Sequence, residues 1–587
     1  MKMTQAPMRP IQSVWNVFLL GVLLLWSSAC ERAEQVQRPF DPTSATTVRI
    51  AFTDVTEASG LGAFRHETGA FGQKWFPESM GSGCGFIDYN NDGWLDIVLV
   101  GGGVWPGHSD KDWVRPLWLY RNNGDGTFTD VTDEAGLGKL SAYALGVTAA
   151  DYDNDGYEDL YVTTLWKNIL LRNNGDGTFT DVTAKAGVAG DSLWSSSAIF
   201  FDADGDGDLD LFVGNYVYWT PETDLWCSLD EKTKGYCTPE AYTGIPPYFF
   251  RNNGDGTFTD ESRKAGFVPA PGKTLGVAET DYNHDGCPDL YVANDTQPDQ
   301  LYRNNCDGTF TDIGLISGVA YDENGKARAG MGNDAGVVDT TGQVSLFVGN
   351  FSKEMIGVYR YIGNDLFIDR AAVSKIGRAS LQTLTFGLFL FDVDRDGDLD
   401  LFAANGHVQD EIERVQDGIT YAQPPHLFLN DGYGFFEDVA PKVGGVLAQP
   451  IVARGACYGD FNRDGLVDIL VTENSGRAHL WRNDTQGAGH YLRVQLVGTQ
   501  SHPQGISSQV VVRIGPRRFE QRVRTGGSYL AVSEKTLTFG LGAARRVDAV
   551  EVRWASGLQE TFGPFDADQE VRLIEGTGRP TETLAFR

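Results

Sequence analysis

The chain of 587 residues carries 79 Asp and Glu against 48 Lys and Arg, a formal net charge of −31. A surface of that sign repels phosphate backbones and no basic stripe offsets it, which excludes nucleic acid as a partner. No HExxH, phosphate loop or Ser-His-Asp phrasing appears, and no alternation of Cys and His suggests zinc.

Residues 1–29 are expected to be an export signal: Lys2 and Arg9, an apolar run from Val17 to Trp26, then Ser27-Ser-Ala-Cys30. That run is too short to span a bilayer. A cysteine directly after small residues resembles a bacterial lipoprotein cleavage box, although Ser27 stands where leucine is usual. Cys30 is therefore the expected lipidation site, and residues 30–48, polar with Pro39 and Pro42, suit a tether.

Seven related units follow between residues 49 and 486, six of them with a nine-residue loop of the form Dx(D/N)xDGxxD. Side-chain oxygens at positions 1, 3, 5 and 9 and a carbonyl at position 7 make a cage for a hard divalent cation, with glycine at position 6 for the sharp turn. The predicted ligands are Asp88, Asn90, Asp92, Trp94 and Asp96, then Asp151, Asp153, Asp155, Tyr157 and Asp159, then Asp202, Asp204, Asp206, Asp208 and Asp210. The later loops supply Asp281, Asn283, Asp285, Cys287 and Asp289, then Asp392, Asp394, Asp396, Asp398 and Asp400, then Asp460, Asn462, Asp464, Leu466 and Asp468. Like charges about 4 Å apart cost on the order of 4 kcal/mol at an effective dielectric near 20, and a divalent ion reverses that sign. About six structural Ca2+ ions are expected, which would bring the net charge from −31 to about −19. Position 12, a glutamate in an EF-hand, is here Leu99, Val162, Val213, Val292, Ala403 or Val471, so each loop runs into a buried strand instead.

A small residue stands five positions before each loop, namely Gly83, Gly146, Ser197, Gly276, Gly387 and Gly455, as crowding near a central axis favours. Gly332 marks a seventh unit whose ligand positions fall on Val337, Asp339, Thr341 and Ser345, and no calcium is expected there. A hairpin like Leu119 to Asp130 recurs in every unit. Its Asn-Gly-Asp-Gly tip assigns Asp125, Asp176, Asp255 and Asp307 to turn chemistry. The last hairpin, Leu480 to Asp484, lacks a second half, and the chain opens at Phe52-Thr-Asp with a second half that has no first. Joining the ends predicts an all-β fold, a seven-bladed β-propeller of four-stranded blades over residues 49–486.

With Cys30 set aside, six cysteines remain to pair. The candidates are Cys227 with Cys237 across one insertion, Cys84 with Cys457 between the first and last units, and Cys287 with Cys306 inside one unit. Buried free thiols are the alternative for the last two pairs. Long aromatic connections emerge on the face opposite the loops: Gly101 to Pro116 with Trp105 and Trp113, Asn215 to Pro247 with Tyr216, Tyr218, Trp219, Trp226, Tyr236 and Tyr242, and Asn405 to Pro425 with His407. They are the expected binding surface, although part of these aromatics would pack the insertions down. Catalytic candidates are scattered over His66, Glu78, His407, Asp410 and Glu411, and an enzyme is not expected.

Residues 488–578 make a small C-terminal β domain and 579–587 a tail. The phrases Tyr491-Leu-Arg-Val-Gln-Leu, Gly526-Gly-Ser-Tyr-Leu, Phe539-Gly-Leu-Gly542 and Val550-Glu-Val-Arg-Trp-Ala-Ser-Gly557 are similar to the ASPIC and UnbV domain. The repeats resemble the FG-GAP or VCBS type of integrin α chains, and the whole resembles the cartilage acidic protein family. One departure is Gln504-Gly-Ile-Ser-Ser-Gln-Val510, where that family more often has an Ala-Ile-Gly-Ala-type turn. Residues 1–30 lead to the expectation of an exported, lipid-anchored protein of the cell envelope or surface, and the resemblance implies a role in adhesion or recognition of a protein or carbohydrate ligand. The alternatives are a calcium-dependent polysaccharide lyase or hydrolase, and an architectural envelope protein docking through the C-terminal domain.

Overall fold

A computed structural model describes residues 48–580 apart from 70–71, 104, 106–113, 192, 269–270 and 323. The expected export signal, Cys30, the tether up to residue 47, Trp113 and the tail from 581 lie outside the described residues. What is described is all-β, built from many small antiparallel sheets. Among the described residues no helix exceeds five residues, and none is long and apolar enough to cross a membrane.

Each repeat unit is one sheet whose first two strands are joined by the acidic loop. In the first sheet these are Cys84–Ile87 and Asp96–Val100, followed by Leu117–Asn122 and Phe128–Asp130. The first two strands are buried along their whole length, because both faces of a sheet lie against neighbouring sheets. Between the third and fourth sheets this interior is aromatic: Phe201, Phe212, Phe249, Phe267, Tyr302 and Phe310 form one cluster. Each such side chain contributes about 1.5–3 kcal/mol by leaving water. The second and third sheets are also linked edgewise, Leu193 opposite Trp166 and Trp194 opposite Leu165.

The seventh sheet is assembled from both ends of the repeat region. Ala453–Gly459, Asp468–Glu473 and Ala478–Asn483 receive Phe52–Asp54 as their fourth strand, with Phe52 opposite Asn483. The first strands of consecutive sheets lie against one another from the first sheet to the seventh, and the seventh lies against the first.

The C-terminal part forms a three-stranded sheet of Leu537–Gly542, His490–Val497 and Gln569–Ile574 and a five-stranded sheet running Arg517–Arg522, Gln509–Ile514, Ala549–Arg553, Gln559–Phe562 and Arg579–Pro580. Arg579 and Pro580 pair with Thr561 and Glu560, so the domain runs two residues past the expected boundary at 578. Its core of Leu492, Val510, Val512, Val550 and Trp554 is continuous with Phe200, Leu211 and Phe250 of the third sheet.

One segment of this domain, Thr525 to Ser533, reaches the first strand of every sheet. Ala531 pairs with Cys84, Leu530 O accepts from Val147 N, and Leu530 N donates to Ser197 Oγ. Gly527 N donates to Val277 O, Ser528 exchanges backbone bonds with Asn333, and Ser528 Oγ meets Leu388 N and Ala456 O. Close approach, either to this segment or to the neighbouring sheet's first strand, explains the small residues ahead of the loops. A Cβ on Gly83 would stand 2.3 Å from Leu530 O, and one on Gly332 would stand 2.1 Å from Phe386 O.

Two of the three cysteine pairs are bonded, Cys227–Cys237 and Cys287–Cys306. Cys84 and Cys457 are a correction: both are free, buried thiols on neighbouring first strands. Their sulfurs stop 3.5 Å apart, against about 2.05 Å for a bond. Crowding of these two strands against Ala531 holds the backbones in that spacing.

Candidate metal centres and the domain that covers them

Every acidic loop folds around its first aspartate. Asp88 accepts from Asp92 N at 3.1 Å and Gly93 N at 3.0 Å, Asp151 from Asp155 N at 2.9 Å and Gly156 N at 2.8 Å, and Asp460 from Asp464 N and Gly465 N. The last aspartate of each loop opens the next strand and is buried. Asp96 takes Tyr89 N and Asn122 N, and Asp159 takes Tyr152 N and Asn173 N. The fifth-position aspartates also accept a backbone donor two residues on, as Asp155 does from Tyr157 N and Asp464 from Leu466 N, so backbone donors fix three carboxylates of each loop.

In three loops the oxygens of three carboxylates come within 4.8 Å of one another: Asp151, Asp153 and Asp159, then Asp202, Asp204 and Asp206, then Asp392, Asp394 and Asp400. These are the loops with an aspartate at every side-chain position; the other three carry Asn90, Asn283 or Asn462. Burial, reinforced by neighbouring carboxylates, pushes these acids up: Asp88 to about 6, Asp151 and Asp202 to about 7, Asp96 to about 8 and Asp159 to about 9. Asp392, Asp400 and Asp468 are likewise raised well above the ordinary carboxylate range, burial again being the main cause. Buried oxygens of Asp153, Asp281, Asp392 and Asp468 meet no hydrogen-bond donor. Orphaned, mutually repelling carboxylate oxygens on a tight turn fit a divalent cation.

The Asp285, Cys287 and Cys306 grouping is different, since both sulfurs are spent in a disulfide and only the Cys287 carbonyl remains to serve. In the fifth sheet, Asp339 is tied to Arg360 at 2.9 Å. The tip aspartates have turn roles: Asp125 accepts from Thr127 N and Oγ1, and Asp176, Asp255 and Asp307 repeat this.

The C-terminal domain sits on the face that carries these loops. Gln504 Oε1 accepts from Asp151 N and His502 donates to Asp151 O; Ser507 Oγ accepts from Asp202 N; Gly540 N donates to Asp392 Oδ2. Its arginines face the acids directly. Arg493 lies 3.1 Å from Asp460, Arg522 lies 3.3 Å from both Glu279 and Asp281, and Arg524 lies 2.5 Å from Asp334. Lys535 meets Glu158 at 2.8 Å. Sequence reading missed these contacts. The available signal was charge: residues 488–578 hold eleven Arg and Lys against nine Asp and Glu in a chain of net −31.

The opposite face carries the insertions. Trp105, Tyr216, Trp219 and Tyr242 are buried with Phe76, Trp194 and Tyr143, so these aromatics pack the insertions onto the sheets. Tyr218 and Trp226 are about 60% exposed, beside exposed Leu225 and Leu229 and next to the Cys227–Cys237 bridge. Most of the catalytic candidates gather around Arg454 and Tyr236: Arg454 donates to His407 O at 3.2 Å, Tyr236 Oη donates to Glu78 at 3.3 Å, and Lys74, paired with Asp410, lies over the Tyr236 ring. Burial, aided by Arg454, holds His66 at about 3 and His407 at about 4, and both are sealed from solvent. Glu78 is buried and held up by desolvation, Asp410 pairs with Lys74 at 2.6 Å, and Glu411 pairs with Arg414.

A family model described as ASPIC and UnbV matches residues 498–580, and one described as FG-GAP-like repeat matches 88–162 and 151–213. Cartilage acidic protein 1 of Mus musculus is 24% identical over 514 residues, covering 82% of this chain and 71% of its own. The Xenopus tropicalis protein of that name is 23% identical over 542 residues, covering 86% and 75%. The chain is homologous to the cartilage acidic protein 1 family. Among solved structures, an Agrocybe aegerita lectin is similar at a TM-score of 0.38 with 17% identity, covering 67% of this chain and 89% of the lectin. The biofilm matrix protein Bap1 of V. cholerae gives 0.27 and 14%, covering 85% of this chain and 76% of that protein. Likenesses of this size carry no argument.

Proposed function

We infer that the protein is an exported recognition or adhesion module: a closed seven-bladed propeller, stabilised by about six calcium ions, that holds a protein or carbohydrate ligand on the face away from its metal loops. Support for the ring comes from the cyclic order of first strands and from one nine-residue segment touching all seven. Support for calcium comes from the orphaned carboxylate oxygens in the loops. The loops would hold the ions and supply rigidity, and the C-terminal domain reaches five of the six, at Asp151, Asp202, Asp281, Asp392 and Asp460.

The observation that carries the ligand face is the covering of the other one. The C-terminal domain spends its arginines on the metal-loop side, which leaves the insertions as the uncovered surface of the repeat region. There Tyr218, Leu225, Trp226 and Leu229 present apolar side chains to solvent on a disulfide-braced loop. Ordered aromatic anchors of this kind bind at low entropic cost. An envelope role through a lipid on Cys30 belongs to the same proposal. The test is capture from cell-surface extracts by the immobilised mature chain in calcium. A specific ligand retained by the native protein and lost on combining Tyr218→Ala with Trp226→Ala supports the reading; a ligand held equally by both refutes the assigned face.

A further inference from the structure

The C-terminal domain contacts the loops of the second, third, fourth, sixth and seventh sheets, and at the fifth it leaves an opening. There the turn Asp339 to Gln343 has lost its acidic ligands, and a cleft of about 760 Å³ lies between it and the strand Arg517–Arg522. That volume falls inside the range of about 300–1,000 Å³ typical of small-molecule sites.

The charged groups around the cleft all have partners, some of them backbone carbonyls: Asp339 pairs with Arg360, Asp398 lies 3.8 Å from Arg517, and Glu520 accepts from Gln509. Glu551 pairs with Arg513 at 2.6 Å and Arg518 at 3.3 Å, Arg517 donates to Asp396 O at 3.1 Å, and Arg553 donates to His284 O and Asp285 O. An ionic ligand would have to break such pairs or desolvate its own charge without one. The Thr341 hydroxyl is taken up by Asp339 and Gln343 N, while the lining also carries the side-chain amides of Gln343 and Gln559 and the Tyr361 ring. That ring is held edge-on by Tyr282 at 5.2 Å and tilted against Phe367 at 5.3 Å, so it is ordered before any ligand arrives. Side-chain amides that donate and accept beside a fixed aromatic ring suit a polyhydroxylated, uncharged molecule.

The geometry points to this cleft as a binding site for a neutral oligosaccharide. The site is separate from the insertion face and needs no ion of its own, so it stands or falls independently of the ligand face inferred above. To test it, the mature chain in calcium is screened on an array of neutral and acidic oligosaccharides, and the strongest neutral binder is titrated calorimetrically. Tyr361→Ala and the rim-filling Thr341→Trp should each weaken binding at least tenfold, while Trp226→Ala on the other face leaves it unchanged. Thr341 is exposed, so its variant carries the test where Tyr361→Ala lowers the melting temperature. Binding confined to acidic glycans, no binding at all, or affinity insensitive to Thr341→Trp would overturn the assignment.

Discussion

Removing the Arg524 side chain should loosen the C-terminal domain from the fifth sheet by a measurable and reversible amount. Its guanidinium lies 2.5 Å from Asp334, whose side chain is 1% exposed, and it also donates to Ala335 O at 2.9 Å. Asp334 further accepts from Leu390 N and Ala335 N, yet burial still raises its acid strength threshold above the ordinary carboxylate value, with Arg524 opposing that rise. Arg524→Ala therefore strands a buried carboxylate, a loss of about 3–5 kcal/mol. That corresponds to about 10²- to 10⁴-fold faster amide exchange in peptides covering 525–533, read by mass spectrometry under native conditions. Adding Asp334→Asn removes the stranded charge and keeps an amide oxygen for one backbone donor, so most of the protection should return. The sign with pH follows from the raised folded value: protonation of Asp334 relieves the variant, so its deficit shrinks as pH falls towards the unfolded value near 3.9 and grows as pH rises through the folded one. Unchanged exchange in Arg524→Ala, or a deficit that Asp334→Asn leaves intact, would refute this account of the interface.

The metal-free protein should lose stability as pH rises from about 5 to 9. Its loop carboxylates are raised to between about 6 and 9, so their contribution is present at low pH and disappears as pH rises through those values, at most about 1.4 kcal/mol per group per pH unit. Melting curves in chelator should show that decline and calcium should abolish it; equal curves with and without calcium at pH 8 contradict the loop assignment. Thiol counting on the mature chain without Cys30 should find no reactive thiol in the native state and two after denaturation, because Cys84 and Cys457 are free and buried. A mapped Cys84–Cys457 bond would show that the first strands of the first and seventh sheets approach more closely than described.

The repeat architecture was legible because it is written in local chemistry. Glycine at the sixth loop position, β-branched residues after the ninth, and Asn-Gly-Asp-Gly tips each specify a turn or strand without reference to anything distant. The split seventh sheet was readable for the same reason, since Phe52-Thr-Asp is half of a hairpin whose other half is Leu480 to Asp484. Contacts between the two domains were not legible. Arg493, Arg522 and Arg524 look like ordinary strand arginines until the fold brings Asp460, Asp281 and Asp334 to them. Gly526-Gly-Ser-Tyr-Leu was visible as a phrase, but its reach to every first strand depends on seven sheets converging. Cys84 and Cys457 show the limit of positional analogy: equivalent places on adjacent strands bring sulfurs near each other without fixing the geometry of a bond.

The central claim is that the acidic turns are filled by metal. The most direct measurement is elemental calcium per folded chain, taken on the mature protein after equilibration with calcium and removal of free ion by gel filtration. The account predicts close to one ion for each of the six intact loops and none for the turn at Asp339. A fully folded protein that retains less than one calcium per chain would contradict it.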